Sequence, residues 1–243
     1  VPLFRLHGTQ PLFFRSKMSC DVDGSPNAYN ATNDDLALDI LESAEGKRAG
    51  GAPDGAITVQ PSEDIVVYVD GAPYVQPDGP FKGFFVSKTS LENPLLPETS
   101  PLRYLDARTT QYVVLPETMV PEATLGDLIA VYDPDTHKVA FAIYGDIGPQ
   151  TESGEASLAT IKRLGLNCVD GKDSPCEARN DILFVVFPNT AGELPAIASW
   201  PYPQAAIDRL GDIEFSKWGG LDTIDEVEAG IDVFNSARQQ RLE

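Results

Sequence analysis

Residues 127–146, "DLIAVYDPDTHKVAFAIYGD", constrain the fold more than any other stretch of the chain. Two apolar runs rich in β-branched and aromatic residues, LIAVY and KVAFAIY, flank the polar residues DPDT, and Pro134 suits the first central position of a type I turn. This is an antiparallel hairpin signal. Other strand signals accompany it: "DIVVYVDGAPYV" carries an Asp-Gly turn between apolar runs, "GPFKGFFVSKTSL" and "TQYVVLP" share its composition, and "NDILFVVFP" is apolar from Ile182 to Phe187, as a fully buried strand requires. The pattern predicts a mainly β fold with a β-barrel core and peripheral helices, and the hairpin points to the double-psi kind of barrel.

Helical signals are fewer. Ala156, Leu158, Ala159, Ile161 and Leu164 share one helical face and Gly165 is a natural stop. "PQAAIDRLG" and "TIDEVEAGIDVFNSARQQ" read as helices packed on the outside of the β core. Between residues 20 and 62 the chain is dense in Asp, Asn, Gly and Pro, which predicts long surface loops around one short helix, "DLALDILESA". The expected organisation is one β-rich domain over 1–200, with a helical extension over 201–243 packed on it.

Charge narrows the partners. Thirty-seven acids against 18 bases leave a net charge of −19, spread along the chain. Phosphate-bearing nucleic acid and anionic membranes are disfavoured, and a cationic partner is favoured. From charge alone, an acidic surface that only keeps a secreted or salt-exposed protein soluble is the commoner explanation. No run approaches the roughly 18 apolar residues needed to span a bilayer, and the N-terminus lacks a signal-peptide layout. The expectation is a soluble, secreted monomer whose leader has been removed. Cys168 and Cys176 bracket the loop "CVDGKDSPC" and are placed for a local disulfide, which the sequence leaves open; Cys20 is then a buried free thiol.

Several chemistries are excluded by missing residues. Two histidines, His7 and His137, make no zinc cluster, and there is no P-loop, no GxGxxG after a strand and no G-x-S-x-G elbow. Asp146-Ile147-Gly148 lacks the second triplet an aspartic protease needs. Asp21, Asp23 and Asn27 in "DVDGSPN" partly imitate a calcium loop without its bidentate Glu, so an Asx-rich turn or an acidic loop that binds carbohydrate or amine are the readings retained, with no metal expected.

What remains is "AIYGDIGPQTESGEASLA", residues 142–159, with Asp146 after a strand and Glu155 ahead of a helix. Two carboxyls hydrolyse a glycosidic bond when one donates a proton to the leaving oxygen while the other activates water or attacks the sugar. Gly145, Gly148 and Gly154 allow close approach of backbone to a ligand. Ser153 is placed to cap the helix, which puts Glu155 in its first turn, where the dipole favours the ionised form. A general acid needs the opposite, so burial against an aromatic such as Tyr144 has to outweigh the dipole. An acidic loop with a Glu at a helix start fits these residues as well.

"IYGDIGPQTESGEASLA" resembles the signature of the fungal-type chitosanases of glycoside hydrolase family 75. "KMSCDVDGSPN" is similar to that family's Met-containing Asp-x-Asp-Gly segment, "YLDARTTQYVVLP" to its Asp-Ala and Tyr-Val-Val strand, and "NDILFVVF" to its closing strand. These run in the family's order from about residue 14 to 188; the "GPQTE" connection and residues 189–243 depart from it. The resemblance implies inverting endo-hydrolysis of chitosan without a cofactor, with Asp146 as general base and Glu155 as general acid. It brings Asp21, Asp23, Asp106 and Tyr144 forward as substrate-binding candidates. Chitosan is a polycation when protonated, which gives the acidic charge a use. A non-catalytic binder of cationic polysaccharide and a family hydrolase acting on another glycan are the alternatives.

Overall fold

The computed structural model describes residues 1–49, 55–150, 153–167 and 182–240, the side chains of 238–240 excepted. The chain opens with β1 (Leu12–Ser16) and β2 (Ser19–Asp21). Two short ribbons follow: β3 (Lys47–Arg48) with β4 (Ile57–Val59), and β5 (Tyr68–Val69) with β6 (Ala72–Pro73). Then come β7 (Tyr112–Leu115), β8 (Leu128–Asp133), β9 (Lys138–Ile147), β10 (Glu155–Ser157) and β11 (Ile182–Phe187). The predicted hairpin is β8–β9, antiparallel from Leu128↔Ile143 to Asp133↔Lys138. The predicted Asp-Gly turn joins β5 to β6, with both Asp70 (φ 52°) and Gly71 (φ 79°) left-handed as a type I′ turn requires.

Seven strands form one mixed sheet in the order β1-β11-β8-β9-β7-β10-β2. Its two edge strands are consecutive in the chain, separated only by Lys17 and Met18. Laid flat, six interstrand spacings span about 29 Å, whereas Ser16 and Ser19 lie at most about 11 Å apart along the chain. The sheet therefore curls into a half-closed barrel. At the seam, Ser16 Oγ donates to Ser153 O (2.7 Å) and Ser19 N to Gly154 O (3.1 Å). Gly154 sits at φ +95°, and a Cβ there would meet Lys17 O at 2.1 Å, so only glycine closes this corner.

Alternation along the strands divides the core in two. One face gathers Phe14, Val113, Val131, Ala142, Tyr144 and Phe184, and is plugged by Ile161 and Leu164 of α1 (Leu158–Leu164). The other carries Tyr112, Val114, Leu128, Ile143, Leu183 and Val185, covered by α2 (Gln204–Trp218) and α3 (Gly220–Gln240) through Ile207, Phe215, Ile224, Val227 and Ile231. Each fully buried Val, Leu, Ile or Phe among them contributes about 1.5–3 kcal/mol. Arg15 of β1 pins α3 by ion pairs to Glu228 (2.9 Å) and Asp232 (2.7 Å). The C-terminal helices thus share the sheet's own core.

Two local expectations fail. "DLALDILESA" forms two 3-10 turns, Asp34–Leu36 and Leu41–Ala44, in place of a helix. Asn33 caps the first turn through the Asp35 amide, but Asp34 Oδ1 takes the Leu41 amide that a continuous helix would give to the backbone, so the chain breaks between the two turns. "GPFKGFFVSKTSL" joins no sheet; it makes isolated bridges, Phe84 with Asn30, Phe85 with Val75 and Ser87 with Val66. It belongs to a loop-rich lobe with a small core of its own, centred on Val22, Tyr29, Leu41, Val66 and Phe85. The proposed Cys168–Cys176 bridge lies outside the described residues; Cys20 is a free, half-buried thiol, pushed up to about 12 by burial and then by Asp21, Asp39 and Glu155.

Candidate active site

Asp146 and Glu155 belong to different strands, and β7 lies between them. Val114 of β7 pairs with Asp146 on one side and with Glu155 on the other. Residues in register across a sheet point to the same face, so both carboxylates stand beside the Val114 side chain, which is 4% exposed and forms an apolar floor. Two interstrand spacings place the two Cα atoms about 10 Å apart.

This alignment depends on a β-bulge. Along β7–β9 the pairing runs Tyr112↔Ile143, Val113↔Tyr144, then Val114↔Asp146, so Gly145 is an extra residue on β9. Without it Asp146 would pair one position further on and face the side occupied by Tyr144. The bulge instead turns Asp146 to the face of Val114 and Glu155. A Cβ on Gly145 would lie 2.6 Å from Tyr112 Cβ and 2.9 Å from Leu105 Cδ1, so the bulge fits only because the residue is glycine. The glycines of this stretch serve contacts within the protein. Gly145 admits Tyr112, Gly154 admits Lys17, and a Cβ on Gly148 would meet Val114 Cγ1 at 2.8 Å and Glu155 Oε2 at 3.3 Å. The last distance shows the Glu155 carboxyl leaning across the Val114 floor toward the end of β9.

Asp146 is held by one oxygen. Its Oδ1 accepts from Ser90 N (2.8 Å), Ser90 Oγ (2.6 Å) and Ile147 N (2.8 Å). Burial pushes its carboxyl up, against the pull of these hydrogen bonds and of Lys88. Glu155 stands in strand β10, two residues before the true helix cap: Ser157 caps α1, its Oγ accepting from Thr160 N, in place of the expected Ser153. The cap falls there because β10 must pair with both β7 and β2 before the chain turns. The expected conflict between the helix dipole and a general acid in the first turn therefore does not arise.

The "DVDGSPN" acids join the same cleft. β2 lies parallel to β10 with Ser19 opposite Glu155 and Asp21 opposite Ser157, which puts Asp21 on the Glu155 face. Asp23 N donates to Asp21 Oδ1 (2.7 Å), and Ser87 Oγ donates to Asp23 Oδ1 (2.9 Å). The Tyr112 hydroxyl donates to Asp23 O (2.8 Å). Burial first, and then the neighbouring charges of Asp23, Asp146 and Glu155, hold Asp21 well above the usual carboxylate range. Asp23 is raised by burial and by Asp146, against hydrogen bonds from Ser87 and Tyr29.

Two candidates are corrected. Tyr144 does not line the cleft: it is 3% exposed in the core on the opposite face, and its hydroxyl donates to Leu115 O (3.1 Å). Asp106 is committed to structure, receiving Ser25 Oγ (3.0 Å) and the Arg108 amide (3.0 Å) on Oδ1 and a guanidinium bond on Oδ2 (2.6 Å). It ties the acidic turn to the loop before β7. Sequence reasoning missed Ser87, Lys88 and Ser90, because "SKTS" carries no motif and reaches the cleft only by docking 56 residues away from Asp146. No group of three or more His, Cys, Asp or Glu among the described residues is arranged to hold a metal ion. Compared with known proteins, the chain matches no family model and no curated protein.

Proposed function

We propose that the protein is an inverting endo-glycosidase that cleaves β-1,4-glucosaminide bonds of chitosan, as the chitosanase family it resembles does. The observation that carries this reading is the register of Asp146, Val114 and Glu155: two carboxyls on one face, about 10 Å apart at their Cα atoms, one of them anchored by a single oxygen. Inverting glycosidases need carboxyls about 6.5–9.5 Å apart, so that a water fits beside the sugar. Asp146, with Oδ1 saturated, takes the proton of that water on Oδ2 as it attacks the anomeric carbon. Glu155 gives its proton to the departing glycosidic oxygen. The cycle leaves Asp146 protonated and Glu155 ionised, and exchange with solvent resets both.

Asp21 and Asp23 supply the specificity. Two neighbouring carboxyls, each raised by burial and by the negative charges of the cleft, are relieved when an ammonium group approaches them. A neutral polymer such as chitin or cellulose offers no such relief. The polymeric substrate is consistent with secretion. For the barrel we propose the double-psi type, supported by the parallel pairings β7–β9 and β10–β2 beside the site; an electron-density map with β7 and β9 antiparallel would overturn that assignment.

The test is release of reducing ends from highly deacetylated chitosan by the parent, Asp146→Asn and Glu155→Gln, each checked for folding. Loss of at least about 100-fold in each variant is expected, with the α-anomer as first product by NMR. A parent that binds chitosan and cleaves nothing makes the cleft a binding site only; a β-anomer first refutes inversion.

A further inference from the structure

One oxygen of the Asp146 carboxylate is engaged by a loop outside the strands that carry the two acids. The Gly145 bulge leaves its carbonyl free of the β7 ladder, and Leu91 N donates to it at 2.9 Å. This fixes the 87–91 segment against the end of β9. Ser90, the next residue back, then brings both its amide and its hydroxyl to Asp146 Oδ1, at 2.8 and 2.6 Å, while its Oγ also accepts from Ile147 N (3.2 Å). Among the described residues no hydrogen bond falls on Oδ2. The carboxylate is thereby held against rotation with one oxygen turned away from the clamp.

We infer that Ser90 is a positioning residue for the general base, its amide and hydroxyl fixing which oxygen of Asp146 faces the nucleophilic water. This rests on the glycosidase reading for the water, and on geometry alone for the clamp. Lys88, from the same segment as Ser90, lowers the Asp146 carboxyl, and Asp146 in turn raises Asp21 on β2, Asp23 in the turn after it and Tyr112 on β7, while Glu155 on β10 faces the same cleft. Burial raises the carboxyl and the Ser90 bonds lower it, so removing the hydroxyl raises it further. A base that must be ionised to work then loses activity at the acid end first.

Ser90→Ala and Ser90→Thr are compared with the parent, on chitosan and by 13C NMR titration of the Asp146 carboxyl; Ser90 is exposed, and near-ultraviolet circular dichroism checks the fold. In Ser90→Ala, kcat is expected to fall about ten-fold or more, KM to stay near the parent's, and the acid limb of the profile to move toward neutral pH. Ser90→Thr, which keeps the hydroxyl, restores both. An unchanged acid limb in Ser90→Ala overturns the inference, as does a loss confined to KM that Ser90→Thr fails to rescue. If the parent cleaves nothing, the glycosidase reading fails separately. The NMR midpoint then decides the clamp: a rise in Ser90→Ala that Ser90→Thr reverses sustains it, and no rise refutes it.

Discussion

Gly145→Ala tests whether the bulge makes the site. Ideal carbon–carbon contacts lie at about 3.5–4.0 Å, and the added Cβ would meet Tyr112 Cβ at 2.6 Å, Tyr112 Cγ at 2.8 Å and Leu105 Cδ1 at 2.9 Å. The overlap is about 1 Å, and Tyr112 Cβ is fixed to the β7 backbone in a fully buried residue, so β7 and β9 must move apart. Overpacking of this kind costs about 1–3 kcal/mol, offset by about 0.4–1 kcal/mol from the stiffer unfolded chain. The net expectation is about 1–2 kcal/mol, or about 2–8 °C in Tm for a chain of this size. Activity should suffer more than stability, because a shift of about 1 Å at Asp146 costs on the order of 100-fold in kcat. Urea unfolding and chitosan hydrolysis, each against parent, read the two effects. Gly192→Ala is the control: its Cβ meets nothing within 4 Å and its φ is not left-handed, so it should stay within about 0.5 kcal/mol of parent. A Gly145→Ala protein with unchanged midpoint and full activity would show that the bulge neither needs glycine nor orients Asp146.

Asp21→Asn should stabilise the fold near neutral pH. The folded carboxyl is raised above its ordinary value, so the stability it lends is present below about pH 4 and is lost as pH rises through the raised folded value. The variant's gain in Tm over parent should therefore be larger near pH 7 than near pH 4, while affinity for chitosan falls; a gain that shrinks with rising pH contradicts the repulsion argument. Arg48→Ala should cost about 3–5 kcal/mol by denaturant unfolding, since its guanidinium side chain, 2% exposed, bonds Asp34 Oδ1 (2.9 Å) and Asn30 O (2.5 Å) and its loss leaves both acceptors in the lobe without that donor. A cost below about 1 kcal/mol, as at a surface pair, would refute that estimate.

The comparison between sequence and structure separates local from distant causes. The β8–β9 hairpin, the buried strand β11, the turn between β5 and β6 and the helices α1, α2 and α3 were all legible, because each is written in the periodicity or turn chemistry of its own residues. The two acids were legible as candidates for the same reason, by the company they keep within a few residues. Their relation was not. It arises from β7, about 30 residues upstream, inserted between their strands, and from one extra residue in β9 that reverses which face Asp146 takes. Tyr144 illustrates the cost of reading without that register: a tyrosine two residues from a cleft carboxylate faces the opposite core. The acid-rich turn at Asp21 and Asp23 joins the cleft only because β2, more than 130 residues upstream of β10, pairs in parallel beside it. Side-chain chemistry and local periodicity are properties of neighbouring residues, and the sequence by itself determined those; which carboxyls share a face, and which serine holds one of them, follow from strand pairings between distant residues, and only the tertiary structure decided them.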